Sequence, residues 1–509
     1  MQDIITRVNP LNRATLIGKL RYYLLDRYYN RTLQLILITA AIALTLAATF
    51  MFREVDAGAN PILGMALLAP IVAVAGFLLL YHNMHLSILP FMALSLLFWE
   101  GVNVGGGTKI SFLFILILVW LVIWFLKMLL VEKKITIAPA APNKLAWAFI
   151  LATIISYFWA WGFVDPIVKP LYDSRFNPRT MTLIMFIISP LTFMFIATHV
   201  RSINVIRWFV IGFLATGLPF AYLQNTWQGL PGLINWQGQY PVWLIAIALG
   251  QVLYNQNLKL WLKALMLVMI GWWVYNQLGL GLSWLSGWVP TIFVIVFLMF
   301  NFSKRIFFLL VLLAVGWVIA NASLLEANFA RETEESGDTR ELAWSTALEY
   351  TSRHLLFGMG PAGYAFYYAL DNWPANFSHN NYIDIIAQTG LVGFTLFVSM
   401  WIAICWSAWQ TYRLVPKHGF RGALAASLFA CMVVVMIIMM LGDWVTPFTY
   451  TQGLFGINYT IWAWMLAGLT IALRYETLNA MKAEREAQEL NALTAPAQPV
   501  NAMLPAWLR

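Results

Sequence analysis

Apolar runs close to twenty residues long recur from residue 33 to residue 473 of this chain. Short polar connections separate them, apart from one long polar loop. A helix of that length matches the hydrocarbon thickness of a bilayer. Backbone amides cannot stay unpaired in lipid, so such runs must be helical. The composition agrees: 61% of residues are hydrophobic and 10% are charged, whereas a soluble domain carries about 25% charged residues. Spans are expected near 33–52, 61–81, 84–99, 110–131, 145–164, 181–199, 203–223, 240–255, 259–277, 287–302, 305–320, 381–409, 422–441 and 454–473. The sequence therefore predicts an all-α fold, a polytopic membrane helix bundle of about 14 transmembrane helices with one large extracytoplasmic loop.

The basic residues orient this map. With the N-terminus inside, roughly 23 Lys and Arg fall on the cytoplasmic side and roughly 8 outside, as the positive-inside rule requires. The expected organisation is a basic cytoplasmic N-terminus (1–32), a transmembrane bundle (33–320), an extracytoplasmic loop (321–378), C-terminal transmembrane helices (379–473) and a cytoplasmic tail (474–509). Residues 1–30 are polar, basic and aromatic, with no short apolar core before a cleavage site, so the first span is expected to act as the insertion signal. The tail is helix-forming to about residue 493 and then rich in proline. The net charge of +9 is spread through short loops and forms no groove-like cluster, which argues against a nucleic-acid partner. Cys405 and Cys431 lie inside apolar runs, where they act as small hydrophobes. No metal-ligand cluster and no cofactor motif stand out.

The long loop and the helix after it hold the chemistry. In the loop, Asp338-Thr339-Arg340-Glu341 matches an N-cap followed three residues later by Glu, so a helix is expected from there to about His354. The turn-rich Gly358-Met359-Gly360-Pro361 would end it. Arg340 then sits in a first turn, where the helix dipole disfavours a cation. Either a bound anion reverses that sign, or Arg340 pairs with Glu334, Glu335 or Asp338. His379 stands at the mouth of the next apolar helix, either as a cap or as a reactive base. Asn380, Asp384 and Gln388 share one face of that helix. An ionisable residue inside a span faces a cavity or bonds a neighbouring helix.

These residues carry a family likeness. His379-Asn380, nine residues, then Gly390-Leu391-Val392-Gly393 resembles the histidine and paired-glycine pattern of the bacterial O-antigen ligase family. Arg340, Trp344 and the run Leu356-Phe357-Gly358-Met359-Gly360-Pro361 resemble the same family's large outer loop. The resemblance covers residues 337–393. It implies an inverting, metal-independent glycan transfer at the outer leaflet, from a glycan on undecaprenyl pyrophosphate to a lipid or glycan acceptor. It maps the donor pyrophosphate onto Arg340 and activation of the acceptor hydroxyl onto His379. It also implies a bacterial inner (plasma) membrane protein.

One departure stands out. The family's second arginine, at the outer end of an earlier helix, has no counterpart in Gly281-Leu282-Ser283-Trp284-Leu285-Ser286-Gly287. Arg175 and Arg179, in the expected outer loop 165–180, are the candidates by sidedness, and Arg353 is a further candidate anion ligand in the long loop. His379 and Asp384 are thus the candidate catalytic residues, and Arg340, Asn380, Arg175, Arg179 and Arg353 the candidate substrate-binding ones. A polysaccharide polymerase is the alternative with the same chemistry. A small-solute transporter is the alternative of another class, for which inverted repeats or broken helices are expected. Neither is read in the sequence.

Overall fold

The computed structural model describes residues 84–97, 101–103, 109–170, 176–226, 239–280, 285–332, 338–371 and 378–494. The helices are α1 (Ile88–Leu97), α2 (Phe112–Leu126), α3 (Ala141–Gly162), α4 (Phe176–His199), α5 (Ile203–Ala215), α6 (Gly217–Thr226), α7 (Tyr240–Tyr254), α8 (Leu260–Tyr275) and α9 (Leu285–Phe302). They continue with α10 (Lys304–Ala320), α11 (Ala322–Glu332), α12 (Asp338–Arg353), α13 (Gly363–Asp371), α14 (Asn381–Leu414), α15 (Phe420–Ile438), α16 (Thr449–Gln452) and α17 (Ile457–Thr494). A small antiparallel pair, β1 (Gly101–Asn103) and β2 (Lys109–Ser111), aligns Val102 with Ile110.

Seven helices among the described residues are long and apolar enough to cross a membrane. The protein is an all-α polytopic helical bundle. The expected spans 33–52 and 61–81, with Arg175, lie outside the described residues. The count of about 14 is not reached among the rest. The run at 84–99 holds only the ten-residue α1, whereas the run at 203–223 is a candidate span over Ile203–Tyr222 with a turn at Thr216 between α5 and α6. Helix α7 has 15 residues, about 22 Å at 1.5 Å per residue, short of the roughly 30 Å hydrocarbon core. At the other extreme α17 runs 38 residues without interruption, so the expected tail helix is a continuation of the last span.

The core lies where α14 packs on α3, α17 on α4 and α7 on α15. It is aromatic: Trp124, Trp243, Trp273, Trp401 and Trp464 are all essentially fully buried. Trp401 and Trp464 stack α14 on α17 at 5.1 Å between centroids, and Phe149 of α3 meets Phe397 of α14 at 5.2 Å. By contrast α10 has no buried residue, and Phe308, Leu309, Leu312 and Leu313 are exposed. Such an apolar helix is stable only in an apolar solvent.

Helix α14 is broken, which the sequence did not reveal. Gly390 has φ 63° and ψ −168°, outside the helical region. A β-carbon there would come within 2.4 Å of the Leu356 backbone, so no other residue fits without displacing it. The break frees the N–H groups of Leu391 and Val392, and these donate to the carbonyls of Leu355 and Leu356 at 2.8 and 3.2 Å. Gly358 makes the reciprocal approach, with φ 69° and the Gln388 backbone 2.5 Å from any β-carbon. Gly390 of the His379 motif is therefore a backbone junction with the polar loop at Gly358, while Gly393 lies against the Thr389 side chain of its own helix.

Candidate functional site

Three segments meet at the end of the bundle where α14 begins. The first is the start of α14 itself. Asn380, and not His379, is the cap: its Oδ1 accepts from the N–H groups of Tyr382 and Ile383 at 3.0 and 3.3 Å. His379 is left half-buried just outside the helix with φ 47°. A left-handed conformation at a residue with a β-carbon costs roughly 1–2 kcal/mol. Such strain persists only where the surroundings hold it. Its neighbours supply that hold. Ser378 accepts the Trp344 indole N–H at its carbonyl, 2.5 Å away, and donates its own N–H to the Tyr364 hydroxyl at 3.1 Å. Asn381, fully buried, receives the Val445 N–H and donates to the Thr446 carbonyl and hydroxyl at 2.9 and 2.7 Å.

The second segment is α12, whose expected start at Asp338 is observed and whose end at Arg353 falls one residue short of the expected one. Trp344 meets Ser378 at one level, and Leu355 and Leu356, just past the end of α12, meet Leu391 and Val392 at another. Helix α12 and the first half of α14 therefore run side by side in the same direction. Both positive dipole ends point to the His379 end, with Arg340 beside them. Arg340 and His379 feel one another electrostatically. Arg353 sits at the far end of α12, about 20 Å from Arg340 at 1.5 Å per residue. It pairs with Glu349 at 2.9 Å and lies over the Tyr350 ring. The structure does not bring it to His379.

The third segment, residues 439–448, was missed by the sequence analysis. It carries Asp443, whose Oδ2 accepts from Gln452 Nε2 at 2.5 Å and from the Tyr459 hydroxyl at 2.7 Å. Asp443 acts electrostatically on both His379 and Asp384. Phe448, five residues on, sets its ring edge-on to the His379 imidazole at 6.4 Å. The available signal was a single acidic residue in Leu441-Gly442-Asp443-Trp444, between two apolar runs on the expected outer side.

The charges around His379 act against one another. Burial pushes its pKa below the ordinary imidazole value and the Arg340 guanidinium pushes it further, while Asp443 pulls it back up. The imidazole is thus neutral at neutral pH and able to accept a proton.

Asp384 and Gln388 are both buried, one and two turns below Asn380 on the same face. Neither carboxylate oxygen of Asp384 reaches a donor at bonding geometry, and Gln388 is its polar neighbour. Gln388 Oε1 instead accepts the Ala362 N–H at 2.6 Å, which ties this face to the Gly-rich turn of the loop. Asp384 does not line an open surface here.

Arg179, in the first turns of α4, is fully buried. Its guanidinium lies over Trp161 at 4.9 Å and Tyr157 at 5.8 Å, and a β-carbon at Gly360 would stand 3.0 Å from its Nη2. The residue before it, Pro178, accepts the Thr449 hydroxyl next to Phe448. Arg179 therefore belongs to the His379 end, its side chain turned under the Gly-rich turn. Among the described residues no group of three or more His, Cys, Asp or Glu could hold a metal ion.

Residues 261–398 match the family model described as O-antigen ligase. The match includes Arg340, the Gly-rich turn, His379 and both motif glycines, and stops short of Asp443 and Arg179. No curated protein matches the chain. The chain carries a region of the O-antigen ligase superfamily within a multi-pass membrane bundle.

Proposed function

Taking residues 261–398 as an O-antigen ligase region, we propose that the protein transfers a glycan from undecaprenyl pyrophosphate to an acceptor hydroxyl at the extracytoplasmic face of the plasma membrane, with both termini cytoplasmic. The acceptor is a lipid-borne or free glycan. His379 Nδ1 or Nε2 takes the hydroxyl proton as the acceptor oxygen attacks the anomeric carbon from the face opposite the leaving group. The bond from that carbon to the pyrophosphate oxygen breaks, and undecaprenyl pyrophosphate departs with the electron pair. Arg340 stabilises its charge as it forms, in the field of the two aligned helix dipoles. Arg179 is the second cation in this reading. Asp443 balances the charge of the proton the imidazole gains.

The observation that carries this reading is the meeting of Arg340, His379 and Asp443 from three separate segments at one end of the bundle. An acid–base histidine within the field of both a cation and a held carboxylate suits proton removal beside an anionic leaving group. A polymerase would use the same groups with a growing glycan as acceptor. The break at Gly390 is a feature a transporter would share, but here carbonyls of the polar loop take the freed N–H groups.

The test is turnover of purified protein with lipid-linked glycan and candidate acceptors, with retention of labelled donor measured alongside. His379→Ala is expected to abolish transfer and leave donor retention largely intact. Loss of donor retention without a specific effect on acceptor use would move His379 to the pyrophosphate.

A further inference from the structure

The turn that ends α12 lies well below the level of His379. Its depth can be read from its partners. Leu355 and Leu356 are bonded to Leu391 and Val392, ten and eleven residues into α14, about 15 Å below Asn381. The Phe357 carbonyl accepts the Ser156 hydroxyl at 2.6 Å, and Ser156 also bonds the Gln388 carbonyl at 2.7 Å. Ser156 is six residues inside the end of α3, about 9 Å down that span. The far ends agree. Helix α14 has 34 residues, while about 20 suffice to cross the hydrocarbon. Counting 20 residues back from Thr411 and Arg413 at its opposite end places the break at Gly390 near the boundary of the apolar layer.

Non-helical backbone survives at that depth only when its polar groups are satisfied by protein. Four N–H groups of the turn find such partners. Gly358 N–H donates to the His354 carbonyl, Met359 N–H to the Ala387 carbonyl, Ala362 N–H to Gln388 Oε1 and Gly363 N–H to the Gly360 carbonyl. His354 and the Tyr367 hydroxyl, 3.0 Å apart, fix the entry. With the backbone held, the apolar side chains are turned outward: Leu355 is 49% and Leu356 58% exposed. The adjoining surface of α3 is of the same kind. Phe158 and Phe163 are 66% and 62% exposed, and Trp159 stacks on both Phe163 and Phe357. Tryptophan at the end of a spanning helix marks the membrane interface, and exposed phenylalanine beside it faces lipid.

We infer that residues 355–357 form a wedge seated in the leaflet at the His379 end, with Leu355 and Leu356 against lipid acyl chains beside Trp159 and Phe163. The occupant is bilayer lipid. The polar loop is therefore anchored in the membrane at its base, and α12 rises from that base like a post. Because α12 and the upper half of α14 share both the base and the Trp344–Ser378 contact, His379 is held about 15 Å and the Arg340 backbone about 22 Å above the apolar boundary, at headgroup height or beyond. The inference stands on geometry alone and does not depend on which reaction is catalysed.

It is tested with nitroxide spin labels on the full chain in phosphatidylethanolamine/phosphatidylglycerol vesicles. Cysteine replaces Leu356, Phe158 or Ser345 singly, with Cys405 and Cys431 changed to serine. Power saturation compares collisions with oxygen, which partitions into lipid, and with a neutral nickel chelate, which stays in water. The label at 356 is expected to behave like that at 158, favouring oxygen, while the exposed site on α12 at 345 favours nickel. A label at 356 that behaves like 345 overturns the inference. A label at 355 repeats the measurement should the 356 variant fail to insert, and carries the same two outcomes.

Discussion

The two ends of the bundle treat charge in opposite ways. Where α14 ends, cations meet partners that neutralise or screen them. Arg421 holds Glu476 through two contacts, at 2.5 and 3.0 Å. Arg201 lies over the Tyr475 ring at 4.4 Å, and Arg474 bonds Gln410. Where α14 begins, titratable groups from separate segments are gathered around one another, Arg340 and Asp443 acting on His379 in opposite directions. Asp443 also acts on Asp384. Gathering ionisable groups in a partly dry site costs desolvation energy in the free protein. A fold retains such an arrangement where a ligand or a proton transfer uses it. The first end therefore reads as scaffold and the second as chemistry, and each variant below tests that division.

The largest expected effect after loss of His379 itself is at Arg340. Arg340→Ala should lower transfer by about 10²–10³, the usual loss for one electrostatic stabiliser. Arg340→Lys should restore part of it, because a point charge replaces a planar fork. The pH dependence carries a sign. The neutral imidazole is the active form, and Arg340 helps hold its pKa below the ordinary value. Without Arg340 that pKa rises, so the acid limb of the rate profile should move to higher pH. Full activity in Arg340→Ala together with loss in Arg353→Ala would transfer the anion site to the other end of α12.

Asp443→Asn should lower transfer by about 10-fold, since only an electrostatic balance of the imidazolium is lost. Its pH effect should be opposite. Asp443 raises the His379 pKa, so its removal should move the acid limb to lower pH. Two limbs moving in opposite directions would show that both residues act on one imidazole. Parallel or absent shifts would separate them.

Legibility in the sequence followed the range of the interaction. The start of α12 was readable because a capping pattern is local, and it places Arg340 in the first turn. The His379 motif was readable as a motif, but its glycines were not readable as a helix break. That break depends on Leu355 and Leu356, more than thirty residues earlier in the chain. Asp443 was unreadable for the same reason: it reaches His379 only because Asn381 clasps Val445 and Thr446. Helix lengths failed where packing overrode hydropathy. Apolar runs alike in composition became the short α7 and the very long α17. Arg179 could be placed by sidedness, but not its burial against Trp161 and Tyr157.

Asp384 lies between the two regimes, buried like scaffold yet grouped with another carboxylate. Asp384→Asn should leave the protein folded and inserted. Transfer should fall by about 2–5-fold, under about 1 kcal/mol of barrier, with a shifted pH profile, because a titratable group near Asp443 is gone. An unchanged rate and profile would assign Asp384 to packing between helices.

The smallest effect on transfer should come from the opposite end, and it is the control that gives the comparison its force. Arg421→Ala leaves Glu476, only 9% exposed, without its main cation. Losing the partner of a nearly buried charge should cost about 2 kcal/mol of stability, visible as a lower Tm in detergent. Transfer measured well below that Tm should stay at the unmodified level with an unmoved pH profile. If it fell as far as in Asp443→Asn, the two ends would be coupled through α17, which carries both Tyr459, bonded to Asp443, and Glu476. The contrast between scaffold and chemistry would then be one of appearance, and α17 would be the element that transmits strain between them.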